Sequence, residues 1–299
     1  MLRLARLHFL VPGMMIYCFG YLLALLGGAE NDLIRFLFGY LVFGSAHLSV
    51  SFSNDYFDRH SDRNSFKTAF SGGSKVLVEH PELESIALFF AVFLLAVSII
   101  ANLFFTIFYD YSFWFFIFGI FGGLLGWFYT APPLMLAYRG LGELSTMLAI
   151  GFFMPGMGYF VASGGLDHLF QWMILPLSCY GLFFIITVEL PDMECDSMAN
   201  KKNILVIGGR ILGKKVSIVA TSAGTIYLML LLFLGVANEV IDWELFVIFS
   251  IFPLLASVVA FLLRNKNRNL MVRQVMFNMI SMIGFLFLID LSLFFQYVW

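Results

Sequence analysis

The chain has 299 residues, of which 61% are apolar, 18% aromatic and only 12% charged. Soluble domains carry about 25% charged residues and roughly 45–50% apolar ones, because their surfaces must be covered with polar groups. A soluble enzyme, a disordered chain and a disulfide-stapled secreted domain are therefore excluded, and a formal net charge of −2 offers no basic face to nucleic acid.

A helix needs about 20 apolar residues to cross the ~30 Å hydrocarbon layer of a bilayer. Nine segments qualify. In chain order they run near Leu10 to Gly27, Leu33 to Ser53, Leu83 to Phe108, Phe113 to Tyr129 and Leu144 to Ser163. The remainder are Leu169 to Glu189, Val216 to Ala237, Leu245 to Leu263 and Val275 to Val298. The runs are uninterrupted rather than alternating, which predicts helices and not barrel strands. Arg3 and Arg6 precede the first run, but it is too long for a signal peptide and lacks a small-x-small cleavage site, so it reads as a retained helix. Cys18, Cys179 and Cys195 are too scattered for a zinc site or a disulfide framework.

Nine crossings put the N-terminus and the even-numbered loops on one side. That side then holds 16 of the 17 Lys and Arg residues, leaving only Arg35 opposite. The positive-inside rule places it in the cytoplasm, with the C-terminus on the other face. Residues 54 to 82 and 191 to 215 form the long polar loops; loops of that length are usually functional or disordered. No linker or low-complexity tract interrupts the chain, so residues 1–299 read as a single membrane domain.

Two acidic clusters follow even-numbered helices. The second helix runs into Asn54-Asp55-Tyr56-Phe57-Asp58-Arg59-His60-Ser61-Asp62, where Asn54, Asp58 and Asp62 recur at every fourth position. The sixth ends in Glu189-Leu190-Pro191-Asp192-Met193-Glu194-Cys195-Asp196, with Asp192 and Asp196 at the same spacing. Like charges four apart destabilise a helix, and carboxylates at its C-terminus oppose its dipole. Both clusters thus call for a compensating cation, and hard oxygen donors suit Mg²⁺. The alternative is a pair of solvated loops neutralised by Arg59, Arg63, Lys201 and Lys202. Matched spacing at two helix ends on one side favours the metal reading.

Arg63, Lys67 and Lys75 trail the first cluster and Lys201 and Lys202 the second, a pattern that suits an anionic phosphate or diphosphate beside the metal. Gly72-Gly73-Ser74 reads equally as a set of backbone donors or a plain turn. Arg6 reads as a diphosphate ligand or a membrane anchor. Pro132 and Pro133 end the fourth helix and leave Tyr129 at the membrane edge, either as an interfacial anchor or as a π face beside a developing cation. His47 and Asp290 fall inside helices, where ionisable groups are functional candidates; both also read as packing residues and are not assigned to the site.

These residues resemble the UbiA superfamily of intramembrane prenyltransferases. Asn54 to Asp62 is similar to the family's N-D-x-x-D-x-x-x-D motif, and Asp192 to Asp196 with Lys201-Lys202-Asn203 to its second D-x-x-x-D motif with a trailing basic residue. Gly72-Gly73-Ser74 and Tyr129-Thr130-Ala131-Pro132-Pro133 through Gly142-Glu143 resemble the menaquinone-type branch. The resemblance implies an all-α bundle of nine transmembrane helices around a central cavity, with a cytoplasmic-face active site. It implies that Asn54, Asp58, Asp62, Asp192 and Asp196 hold two Mg²⁺ ions and that Arg6, Arg63, Lys67 and Lys202 contact the donor diphosphate. Tyr129 would flank the reacting carbon, so that Asp58, Asp62, Asp192, Asp196 and Tyr129 form the catalytic set. One departure stands out. Many relatives carry Asn or Asp where this chain has Val188, and Glu189 is the neighbouring substitute.

The implied reaction transfers a polyprenyl group from its diphosphate to an aromatic acceptor, a naphthoate-type quinone precursor being favoured. A hydroxybenzoate, a tetrapyrrole alcohol and a glycerol phosphate lipid precursor remain open. A CDP-alcohol phosphotransferase would need a longer acidic motif interleaved with Gly and Ala-Arg. A transporter would place its charges near the midplane on broken helices. The expected partners are the donor, the acceptor and the lipid bilayer, with no nucleic acid and no obligate protein partner.

Overall fold

A computed structural model describes residues 3–64, 68, 70–263 and 268–299, and every regular element among them is helical. The first is α1 (Leu10–Leu26), followed by α2 (Leu33–Phe57), which Asp32 caps by accepting the Arg35 N–H at 3.0 Å. A short α3 (Val76–Glu79) precedes α4 (Glu84–Phe108) and α5 (Phe113–Trp127). Next come α6 (Gly142–Leu148), a π turn over Ala149–Phe153, and α7 (Met154–Ser163). Pro155 lacks the N–H that would pair with the Gly151 carbonyl, and the wider turn absorbs that break. The chain continues as α8 (His168–Glu189), α9 (Met193–Met198), α10 (Ile204–Leu234), α11 (Trp243–Leu262) and α12 (Arg268–Val298).

Among the described residues eight helical stretches are long and apolar enough to cross a bilayer, counting α6 to α7 as one. The ninth expected crossing, α5, has only 15 residues, about 22 Å of helix. The count of nine therefore holds only with one short member. Two loop expectations also change. The segment after α8 is largely helical, because α9 carries the second acidic motif and α10 begins at Ile204, bending at Gly209 where φ is 74°. The segment after α2 contains α3.

The helices close into a ring. α4 lies along α2, α7 against α1, α10 between α8 and α11, and α12 between α11 and α1. A Cβ at Gly20 would collide with the Pro155 carbonyl, and one at Gly158 with the Tyr17 carbonyl, so the α1–α7 contact needs its glycines. Ser49 donates to the Ala91 carbonyl and Ser98 to the Val42 carbonyl, both at 2.7 Å, binding α2 to α4. Phe108, Trp114 and Phe233 are at least 74% exposed. Large apolar side chains turned outward suit a lipid solvent and not water.

Candidate active site

The ring encloses a cavity of about 390 Å³ that is apolar in its depth and polar at one end. Its deep wall includes Phe43, Phe118, Phe153 and Met282, together with one glycine face of α5 at Gly119, Gly122, Gly123 and Gly126. The polar end gathers Arg6, Asn54, Asp58, Asp62, Tyr129, Glu189, Asp192, Asp196 and Lys201. The two acidic motifs, 130 positions apart in sequence, thus share one wall.

The first motif is held by the end of α2. Asn54 lies in its last turn and accepts the Thr130 hydroxyl at 2.8 Å through Oδ1. Asp58 follows the helix as its C-cap, and Asp62 sits in the next turn, where its N–H reaches the Asp58 carbonyl at 2.8 Å. Asp58 accepts the Tyr138 hydroxyl at 2.6 Å through Oδ1 and the Lys201 ammonium at 3.1 Å through Oδ2. In the second motif, Asp196 accepts the Asn203 amide at 2.9 Å and lies 3.3 Å from the same ammonium. Lys201 therefore bridges the motifs. Burial penalises its charge, but Asp58 and Asp196 outweigh that cost and hold it well above the ordinary lysine range.

The segment 70–75 crosses between the clusters. The Gly72 N–H donates to Asp192 at 2.9 Å and the Ser74 N–H to Asp55 at 3.3 Å. Arg6 pairs with Asp55, and Lys75 donates to the Asp62 carbonyl. Gly72 and Gly73 have φ of 81° and 67°, and a Cβ at Gly73 would land on the Asp62 carboxylate. Of the two readings of this segment, that of backbone donors is the one its geometry displays, with carboxylates as their partners.

Burial, then repulsion from Asp58, pushes Asp62 up to about 7; burial, then Asp196, does the same to Asp192. Burial likewise raises Asp196 above the usual carboxylate range, with Lys201 opposing. Asp192 Oδ1 and Glu189 Oε2 are buried without a hydrogen-bond partner. Among the described residues no three His, Cys, Asp or Glu side chains already converge on one point. The donors are nonetheless all oxygen, crowded, mutually repelling and only partly neutralised by Lys201. That set fits a hard divalent cation.

Several predicted residues lie elsewhere. Arg63 and Lys202 are exposed and do not line the cavity, and Lys67 lies outside the described residues. The turn at Asn200, where φ is 60°, aims Lys201 inward and leaves its neighbour outside. Tyr129 does line the cavity. Val188 and Glu189 both face the cavity. Sequence reasoning missed Lys201 as the inward cation and Tyr138, Thr130 and Asn203 as partners of the motif oxygens. All three partners stand inside stretches already singled out, which was the available signal.

Among the described residues, an all-helical membrane protein sets two acidic helix ends over a lipophilic cavity, an arrangement suited to a lipid substrate with an anionic head. The sequence profile of the UbiA prenyltransferase family matches residues 13–282. The chain belongs to that family, and the expectation of a prenyltransferase is met at that level. Among solved structures it is similar to a UbiA homolog from Archaeoglobus fulgidus bound to GPP and Mg²⁺, at 17% identity and a TM-score of 0.64, covering 96% of this chain and 99% of that one. It is similar to an apo UbiA homolog from Aeropyrum pernix K1, at 16% identity and a TM-score of 0.65, covering 90% and 96%. A structure of digeranylgeranylglyceryl phosphate synthase gives 17% identity and a TM-score of 0.65, covering 98% and 96%. No match was found among curated protein sequences.

Proposed function

We propose that the chain transfers a polyprenyl group from its diphosphate to an aromatic acceptor, with Mg²⁺ as cofactor and a naphthoate-type quinone precursor as the favoured acceptor class. The observation that carries this reading is the pairing of two carboxylate clusters with an apolar cavity in one wall. A diphosphate at the polar end leaves its prenyl tail to the aromatic and glycine-lined depth. The Archaeoglobus relatives bound to GPP or DMAPP with Mg²⁺ support the donor class.

Asn54, Asp58, Asp62, Asp192 and Asp196 would hold the metal. When bound, Mg²⁺ neutralises diphosphate oxygens and stabilises the charge they gain as the C1–O bond breaks. Arg6 and Lys201 line the same end and offer N–H donors to the leaving diphosphate. Arg63 and Lys202, outside the wall, add positive potential to the approach. Tyr129 presents its ring to the allylic cation, and the apolar depth keeps water from capturing it. The partition of 16 basic residues to one side supports a cytoplasmic mouth and N-terminus.

A second reading, transfer to a glycerol phosphate lipid precursor, draws support from the similarity to digeranylgeranylglyceryl phosphate synthase. Against it, the cations among the described lining residues are Arg6 and Lys201, both at the polar end and both paired with carboxylates. The test is diphosphate release from GPP by the protein in nanodiscs, with and without Mg²⁺, against hydroxynaphthoate, hydroxybenzoate and glycerol phosphate acceptors. Mg²⁺-dependent release with prenylated hydroxynaphthoate supports the proposal. Release that ignores excess EDTA, or prenylation of glycerol phosphate alone, overturns it.

A further inference from the structure

Among the described residues that line the cavity, one ionisable group stands apart from all the others. Arg6, Asp58, Asp62, Tyr129, Glu189, Asp192, Cys195, Asp196 and Lys201 all stand at or beyond helix ends. Among the described lining residues His47 is the exception, lying in the middle of α2. It is seven positions before Asn54, about 10 Å along the helix. The Phe43 ring centroid is 5.6 Å away, and α1 leaves room for the imidazole only because residue 13 is glycine. A Cβ there would collide with Nδ1 and Cε1.

The ring's polarity is idle in the fold. Nδ1 is buried with no hydrogen-bond partner. With Nδ1 and Cε1 turned toward Gly13, the Nε2–Cδ2 edge is turned away from α1, and the residue keeps partial exposure in the cavity wall, with Ser51 one turn further along α2 and Ser98 in the same wall. An imidazole at such depth without a partner is an unfavourable packing choice beside Phe or Leu. A ligand oxygen in the cavity removes that cost.

We propose that His47 binds the aromatic acceptor, its Nε2 forming a hydrogen bond with a ring hydroxyl and so setting which ring carbon faces the donor. This rests on the aromatic-acceptor reading above. A diphosphate anchored at Asn54 and Asp58 places its C1 inward of those residues, and the ~10 Å to His47 spans an aromatic nucleus held between them. A neutral imidazole and a hydroxyl each donate and accept, so the pair is matched in either tautomer. Phe43, beside the imidazole, supplies a face on which an aromatic ring stacks. The cations among the described lining residues, Arg6 and Lys201, are at the polar end, so the position favours hydroxyaromatics over a phosphate-bearing acceptor.

The experiment measures binding rather than turnover alone. Dissociation constants are determined in nanodiscs for a dihydroxynaphthoate and for the naphthoate lacking both hydroxyls, in wild type, His47→Leu and His47→Gln. Wild type should favour the hydroxylated compound by roughly tenfold, the value of one hydrogen bond. His47→Leu should lose that preference and His47→Gln keep part of it. Affinity for GPP with Mg²⁺, and diphosphate release without acceptor, should stay within about twofold in both variants and so certify the fold. Equal preference in wild type and His47→Leu overturns the assignment, as does a parallel loss of GPP binding in both variants. Failure of wild type to release diphosphate at all would instead overturn the underlying prenyl-transfer reading, which separates the two failures.

Discussion

Removal of the Lys201 ammonium is the most direct probe of the candidate site. Its nitrogen lies 3.1 Å from Asp58 and 3.3 Å from Asp196, and all three side chains are no more than 15% exposed. At an effective dielectric near 20, each contact is worth about 5 kcal/mol. Desolvation of the ammonium offsets much of that sum, and breaking a buried pair costs about 3–5 kcal/mol net. The residual exposure argues for the lower end, so Lys201→Met should destabilise the metal-free protein by about 3 kcal/mol. At roughly 2–4 °C per kcal/mol for a chain of this order, thermal unfolding in detergent should begin about 6–12 °C earlier. Mg²⁺ should then raise the variant's midpoint more than that of wild type, because in the variant it meets two uncompensated carboxylates and displaces no ammonium. An unchanged midpoint without metal, or equal Mg²⁺ shifts in both proteins, would refute the bridge.

Asp58→Ala and Asp196→Ala should each reduce Mg²⁺-dependent GPP binding and turnover, and the double variant should lose much less than the product of the two, because both carboxylates share Lys201 and one ligand. Asp110→Ala, in the α4–α5 connection away from the cavity, is the control and should match wild type. Tyr129→Phe should keep most activity, whereas Tyr129→Leu should slow turnover roughly three- to thirtyfold with little change in donor affinity, the value of about 0.5–2 kcal/mol for a cation over a ring; equal rates for Leu and Phe would leave only an anchoring role. Gly73→Ala must adopt a left-handed backbone at a cost of about 1–2 kcal/mol and must push the Asp62 carboxylate aside, so a lowered unfolding midpoint and weakened GPP binding are expected by thermal shift and titration. Cysteines at Arg139 and Lys202 should label with an impermeant reagent from the face opposite to cysteines at Asp110 and Glu239, all four positions being exposed; labelling of both groups from one face would refute the sidedness.

Local signals carried most of this architecture. Apolar length marks a membrane helix without any tertiary information, and the every-fourth-residue recurrence of Asn54, Asp58 and Asp62 survives the end of α2 because the Asp62 N–H still reaches the Asp58 carbonyl. The misreadings were tertiary. Residues 204–215 carry Arg210, Lys214 and Lys215 and so look like a loop. Yet Arg210 reaches out to Glu194 and Lys214 to the Leu263 carbonyl at 2.8 Å, which lets α10 start early. Which of Lys201 and Lys202 faces inward depends on the dihedral angle of Asn200, which no spacing rule encodes. His47 was visible as an intramembrane histidine, but its significance needed Gly13, 34 positions away, to show that room had been made for it.

The shortness of α5 has a consequence for how any lipid substrate is supplied. Its 15 residues fall short of the ~30 Å hydrocarbon thickness, and the chain beyond it turns irregularly while pairing its own backbone, Leu136 N–H to the Phe128 carbonyl at 3.0 Å and Ala137 N–H to Tyr129 at 2.9 Å. Irregular backbone at bilayer depth persists only where protein or an aqueous cavity shields it. On the prenyl-transfer reading proposed above, a recessed mouth of this kind would let a donor with a prenyl tail reach it from the plane of the bilayer. The concentration that sets its rate is then a mole fraction among lipids, so diluting the vesicles should leave turnover unchanged while diluting the donor with inert lipid should lower it.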